Sequence, residues 1–169
     1  HGHLTEMRFA ASQMIEKYHA DVLIHLGDDS TDADELSVSS LDILTVPGVS
    51  EARYKDPNIQ NRIIRKFDGI PFLLTHTPTR NAHDKPDDID PTEAAQDSDV
   101  KVILYGHTHK PLISEKFGAI YINPGHLNEG DRRGDPMSFA ILEVKAPKME
   151  VKIIDLDGEI FQVKIFFIE

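Results

Sequence analysis

Cysteine is absent from the sequence, and cationic side chains are scarce. Without cysteine there is no disulfide, no thiolate nucleophile and no zinc-finger-like site, so any metal must be held by His, Asp, Glu, Asn and water. Against 29 acidic residues stand 18 Lys and Arg, for a formal net charge of -11. Affinity for a polyanion comes mostly from cations that displace counterions, so this balance argues against a nucleic-acid partner and favours a small phosphate-ester substrate. Two bound dications would bring about four positive charges to one cleft and invert the field there. No uncharged apolar stretch approaches the roughly 20 residues that span a bilayer, and the first residues lack a basic-then-apolar secretory pattern. The expectation is a soluble, cytoplasmic protein without membrane attachment. Its 169 residues form one domain over 1–169, long enough to bury a core without staples. Nothing in the sequence sets an oligomeric state.

What the chain does have is histidine in telling places. Gly106-His107-Thr108-His109 follows directly on the apolar run 100–105, so two imidazoles one residue apart sit at the end of a predicted buried strand. Neutral imidazole is a common transition-metal ligand, and a strand tip fixes its direction while leaving the coordination sphere open. Asp28 follows the predicted strand 21–26, and His76 follows the apolar run 71–75. Three strand ends therefore carry ligand-type side chains.

Around them the patterning alternates. Leu4, Met7, Ala11, Met14, Ile15 and Tyr18 recur at helical spacing and predict an amphipathic helix over 4–18, with Met7 and Met14 in its core stripe. A strand over 21–26, a short helix over 31–39 and a strand over 41–46 follow, the last closed by Pro47-Gly48. Residues 62–67 and 70–75 flank Asp68-Gly69 as a hairpin. The Asp-, Asn- and Pro-rich segment 81–90 reads as a solvated loop and candidate lid, and Pro91-Thr92-Glu93 opens a short helix. Beyond the histidines the pattern is β: 119–122, 137–144, 149–154 and 160–167, with Asp157-Gly158 as a turn. An α/β half merging into an antiparallel half implies two packed sheets with helices outside.

Taken in order, His1-Gly2-His3, Gly27-Asp28-Asp29, Val46-Pro47-Gly48-Val49-Ser50-Glu51, Thr75-His76, Gly106-His107-Thr108-His109 and Asn123-Pro124-Gly125-His126 resemble the calcineurin-like metallophosphoesterases. The likeness is to their small bacterial and archaeal-type phosphodiesterase branch, and it runs over nearly the whole chain. It implies a four-layer α/β/β/α sandwich of two mixed sheets flanked by helices. The family's first strand and its Asp are missing ahead of His1; His1-Gly2 matches the end of that motif, and its alternative reading is a tag remnant. By resemblance, His1 and His109 serve a first divalent cation, His76 and His107 a second, and Asp28 bridges them. A hydroxide shared by the cations would then hydrolyse a phosphodiester or phosphomonoester, with Asp28, His76, His107 and His109 as the catalytic set. Mn, Fe, Zn, Ni and Co all suit such ligands.

There are departures from the family pattern. Val49 stands where the family has a ligating Asn; Glu51 is either a carboxylate substitute or a solvated loop charge. Ser50 replaces a general-acid His, and His126 replaces a Ser, either to touch substrate or as an ordinary loop-bonding histidine. His25 reads as a sheet-face histidine, and His3, His19 and His83 as surface residues. Asp29 reads as support for Asp28 or as a helix cap. Arg80, Asn81, Lys110, Arg132 and Arg133 are candidate phosphate contacts or solvated surface residues. Two further functions compete with hydrolysis of small esters. One is a non-catalytic scaffold of the same fold that binds partner proteins, like the retromer-type subunit the chain also resembles; the other, a nuclease, is disfavoured by the acidity.

Overall fold

The computed structural model describes residues 2–36 and 41–168. Helix α1 (Leu4–Glu16) leads to a parallel pair, β1 (Val22–His25) and β2 (Asp42–Thr45). A hairpin of β3 (Arg62–Phe67) and β4 (Ile70–Thr75) turns at Asp68-Gly69, where both residues have positive φ. Helix α2 (Pro91–Gln96) follows, its N-terminus capped by the Asp90 carboxylate, which accepts from the N–H groups of Thr92 and Glu93. The remaining strands are β5 (Val102–Tyr105), β6 (Leu112–Lys116), β7 (Ala119–Asn123), β8 (Ser138–Lys145), β9 (Lys148–Asp155) and β10 (Ile160–Phe167). Among the described residues, no helix is long and apolar enough to cross a membrane.

The layers follow from the period-two alternation of the strands. In the mixed sheet β3-β4-β5-β7-β6, one face carries Phe72, Leu74, Val102, Leu104, Ile120 and Ile122. These pack against Met149, Val151 and Ile153 of β9, with Ile24 and Leu44 of the β1–β2 pair alongside. The opposite face carries Leu73, Ile103, Tyr105 and Tyr121, covered by Ala94 and Ala95 of α2. On the far side, Ala10 and Met14 of α1 cover Phe139 and Ile154. The protein is thus a mixed α/β fold with an α/β/β/α order of layers.

Pairing departs from expectation in one layer. That layer holds two hydrogen-bonded units, β1–β2 and the antiparallel β10-β9-β8, rather than one sheet. Every residue of β1 and of β8 lines a cavity of about 950 Å³. Since both faces of each strand contribute, the edges themselves abut the space. Smaller differences concern elements. The region read as a helix over 31–39 contains a 3-10 turn, Ser30–Glu35, while residues 37–40 lie outside the described set. Strand β6 was not expected at all.

The loop 81–90, expected to be solvated and a candidate lid, exposes Ala82, His83, Pro86 and Asp87 but is anchored from beneath. Buried Arg62 reaches under this loop, donating to Ile89 O at 2.8 Å, Thr77 Oγ1 at 3.0 Å and Asp84 Oδ2 at 2.8 Å. Asp84 also accepts from Tyr54 Oη at 2.6 Å and from the Asn81 N–H at 2.9 Å, and Asp88 accepts from Asn61 Nδ2 at 2.7 Å. Lys85 Nζ donates to Asp56 O at 2.9 Å. The polar composition here records an internal hydrogen-bond network as well as solvation.

The Arg62–Asp84 pair is 1% exposed on both sides, so removing one partner strands a buried charge. Burial pushes the Asp84 carboxyl up, but the Tyr54 hydroxyl, the Asn81 N–H and the Arg62 guanidinium outweigh it and hold it below its ordinary 3.8. Arg62→Met should therefore cost roughly 3–5 kcal/mol of unfolding free energy at neutral pH, measured by urea denaturation. Because the folded pKa is depressed, the pair's contribution is complete above the ordinary carboxylate value and is lost as pH falls through the lower one. The wild-type advantage should shrink in acid.

Candidate metal centre

Apart from His1-Gly2-His3, which precedes α1, the segments singled out for chemistry lie just past the C-terminal ends of parallel strands. Gly27-Asp28 follows β1, Gly48 follows β2, His76 follows β4, Gly106-His107-Thr108-His109 follows β5, and Pro124-Gly125-His126 follows β7. That edge is the ordinary place for a site in an α/β sheet.

Close approach of these loops depends on missing side chains. A Cβ on Gly27 would stand 2.5 Å from His76 Nδ1, and one on Gly48 would stand 2.6 Å from Asp28 N. At Gly106 it would meet Leu26 O at 3.0 Å. Gly27 also has φ +98°, a region L-residues rarely adopt. Asp28 (φ 70°), His107 (61°) and His109 (58°) occupy the left-handed region without being glycine. Such residues cost about 1 kcal/mol or more each and cluster at functional sites.

Of the five residues expected to bind cations, four come together; His1 lies outside the described residues. They touch in a chain. His107 Nδ1 is 3.3 Å from His76 Nε2, His76 Nε2 is 3.6 Å from Asp28 Oδ1, and Asp28 Oδ2 is 2.7 Å from His109 Nε2. His76 is 2% exposed and donates Nδ1–H to Leu26 O at 2.7 Å, which leaves the Nε2 lone pair facing the cluster. Burial lowers its pKa, against the opposing pull of that backbone bond, and so favours the neutral ring. His109 is bonded at both nitrogens, with Nδ1 2.7 Å from Asp131 Oδ2. Among the described residues no three donors already stand round a common centre. They lie against one another, Asp28 Oδ2 in hydrogen-bond contact with His109 Nε2.

Asn123, wholly buried, fixes the histidine loop by donating to Gly106 O at 2.7 Å and Thr108 Oγ1 at 2.9 Å. Its own Oδ1 accepts the Gly125 N–H at 2.9 Å. This gives the Asn-Pro-Gly segment a structural purpose that its sequence position did not reveal.

Glu51 is neither of the things expected. Its carboxylate accepts from the Ser30 N–H at 3.0 Å, the Ser30 hydroxyl at 2.7 Å and the Gly48 N–H, tying the loop after β2 to the loop after β1. It does not join the cluster or float in solvent. His126 is buried and bonds within its loop: Nε2 donates to Asp135 O at 3.2 Å and Nδ1 accepts from the Asn128 N–H at 3.2 Å. Its ring lies 5.8 Å from that of His109. Asp29 accepts from the Thr31 hydroxyl at 2.7 Å instead of capping a helix with its side chain. Half-buried His25 accepts the Gly27 N–H at 3.4 Å, and His19 and His83 are exposed while His3 is partly covered. Arg80, Lys110 and Arg132 are exposed; Arg133 bonds Asp131 Oδ2 at 2.6 Å.

Sequence reasoning missed Asp131. It lies in a loop of Gly, Arg and Glu, 22 residues from His109, where neither spacing nor patterning marks it. Its carboxyl is pulled down to about 2, first by the His109 bond and then by the Arg133 backbone N–H.

The Calcineurin-like phosphoesterase superfamily domain profile matches residues 1–147. The chain belongs to that family. Comparison with curated protein sequences returns no match. Among solved structures, a predicted phosphoesterase from Streptococcus pneumoniae is similar at 18% identity and a TM-score of 0.65, covering 96% of this chain and 90% of its own. An archaeal phosphodiesterase is similar at 22% identity and a TM-score of 0.58, with 98% and 94% covered. Vps29 from Entamoeba histolytica, complexed with Zn2+, is similar at 16% identity and a TM-score of 0.57, with 92% and 88% covered. At these identities the likeness is one of fold.

Gly27→Ala should displace His76 and lower stability by about 1–3 kcal/mol, read by thermal unfolding, and should weaken Mn2+ uptake. Gly69→Ala is the control: its φ is +82° with nothing within 4 Å, so it carries backbone strain without the clash. It should leave Mn2+ uptake intact.

Proposed function

We propose that the chain hydrolyses a phosphodiester or phosphomonoester with divalent cations held by Asp28, His76, His107 and His109. The observation that carries this reading is the convergence of three imidazoles and one carboxylate from three separate loops, with His76 held so that its free nitrogen faces inward. The donor set fits. Neutral imidazoles and a carboxylate suit Mn, Fe, Zn, Co or Ni, and Asp28 already lies between His76 and His109 with one oxygen toward each. Cations bound there would supply Lewis acidity, activating water and neutralising charge on phosphoryl oxygens. Val49 offers no donor, and Glu51 is engaged elsewhere, so His76 and His107 carry the second position with less help.

Among the residues considered as a proton donor to the leaving group, His126 has both nitrogens engaged within its loop and Ser50 is a poor acid. The leaving group must depart with little protonation. Rates on a series of aryl and alkyl phosphodiesters should therefore fall steeply as the leaving alcohol becomes more basic. A flat dependence with chemistry limiting would contradict this. His107→Ala and Asp28→Asn should each lower Mn2+-dependent turnover on the order of 100-fold or more.

A second reading, a partner-binding scaffold, draws on β10. Phe161, Val163, Ile165 and Phe167 alternate along this edge strand and are 39–75% exposed. Such a row is unusual on a surface with no partner. Cation uptake without turnover on any phosphoester, together with loss of partner capture in Val163→Lys, would favour the scaffold.

A further inference from the structure

We propose that Asp131 is a positioning residue for the metal centre, which orients His109 by accepting its Nδ1–H and so aims Nε2 at the cluster. The inference rests on the cation-binding reading above. Asp131 Oδ2 lies 2.7 Å from His109 Nδ1, and His109 Nε2 lies 2.7 Å from Asp28 Oδ2, so the ring is held along one line by two carboxylates. These carboxylates are not equivalent. Asp28 is 32% exposed and contacts His76 as well, while Asp131 is 6% exposed and contacts none of the other three cluster residues. Asp131 is itself fixed: Oδ1 accepts the Arg133 N–H at 2.9 Å, and Oδ2 receives Arg133 Nη1 at 2.6 Å.

The loop that carries it is built to deliver it. Asp131 N–H donates to Asn128 O at 3.1 Å, Asn128 Oδ1 accepts the Gly130 N–H at 2.8 Å, and His126 bonds both Asn128 and Asp135. The segment between β7 and β8 thus folds back over the histidine loop. His109 has a left-handed backbone, which places its side chain but leaves the ring free to turn about its own bond. A carboxylate on Nδ1 removes that freedom, selects the nitrogen presented to the cation and raises its basicity. His76 is oriented through Leu26 O by the same device, so two of the three imidazoles are locked from behind.

The test uses 15N-labelled protein without added metal, together with Mn2+ titration by calorimetry, for wild type, Asp131→Asn, Asp131→Ala and Arg133→Ala. In wild type, His109 should show a slowly exchanging proton on Nδ1. That resonance should vanish in Asp131→Ala, with Mn2+ affinity about 10- to 100-fold weaker and unfolding temperature little changed. Asp131→Asn, which can accept the bond only without charge, should fall between. Arg133→Ala removes only the exposed end of the clamp and should lose less than either. A protected Nδ1 proton that persists in Asp131→Ala, or Mn2+ affinity within about twofold of wild type, would overturn the proposal. Failure of wild type to take up any divalent cation would instead defeat the metal reading, while the Nδ1 resonance still decides what Asp131 does to the ring.

Discussion

The loops after β1, β2, β4 and β5 pass so close to one another that two of their crossing points admit no side chain and a third leaves little room for one. Gly27 lies against the His76 ring, Gly48 against the Asp28 backbone and Gly106 against Leu26 O. That contact between two layers is what brings Asp28, from the β1–β2 pair, within reach of His76, His107 and His109, which belong to the five-stranded sheet. Parallel strands supply the common edge, and glycines supply the clearance. The left-handed backbone at Asp28, His107 and His109 is the cost of turning side chains inward from so tight a space.

Rigid surroundings hold that strain in place. Glu51 staples the loop after β2 to Ser30, Asn123 staples the histidine loop to the end of β7, and Arg62 anchors the segment 81–90 from beneath. Each is a polar side chain satisfied by backbone and side-chain groups of the loops it ties together. Together they tie the loops that carry the site to the sheets beneath them. The large cavity between β1 and β8 is the contrasting region, where two strand edges face space instead of each other.

Local features carried much of the fold into view. The β3–β4 hairpin was legible to the residue because Asp68-Gly69 favours a turn, and α2 because Pro91-Thr92-Glu93 starts a helix. Strand β6 was not, since an edge strand with charged Glu115 and Lys116 shows little alternation. The anchoring of the loop 81–90 was not legible, because the partners of Asp84 and Asp88, namely Arg62, Tyr54 and Asn61, lie 22 to 30 positions away. For the same reason Glu51 and Asp131 took roles that no local pattern announces.

What the sequence determined by itself is the cast of candidate ligands and their placement at strand ends, because apolar runs followed by Gly, Asp or His encode both the strand and its termination. Family membership follows from the order of those segments, not from any one of them. Tertiary structure alone decided which nitrogen each imidazole presents, which carboxylate faces the cluster and which lies behind it. Such choices depend on hydrogen bonds between residues far apart in the chain, such as His76 with Leu26 and His109 with Asp131, and a linear pattern holds no record of a ring's orientation.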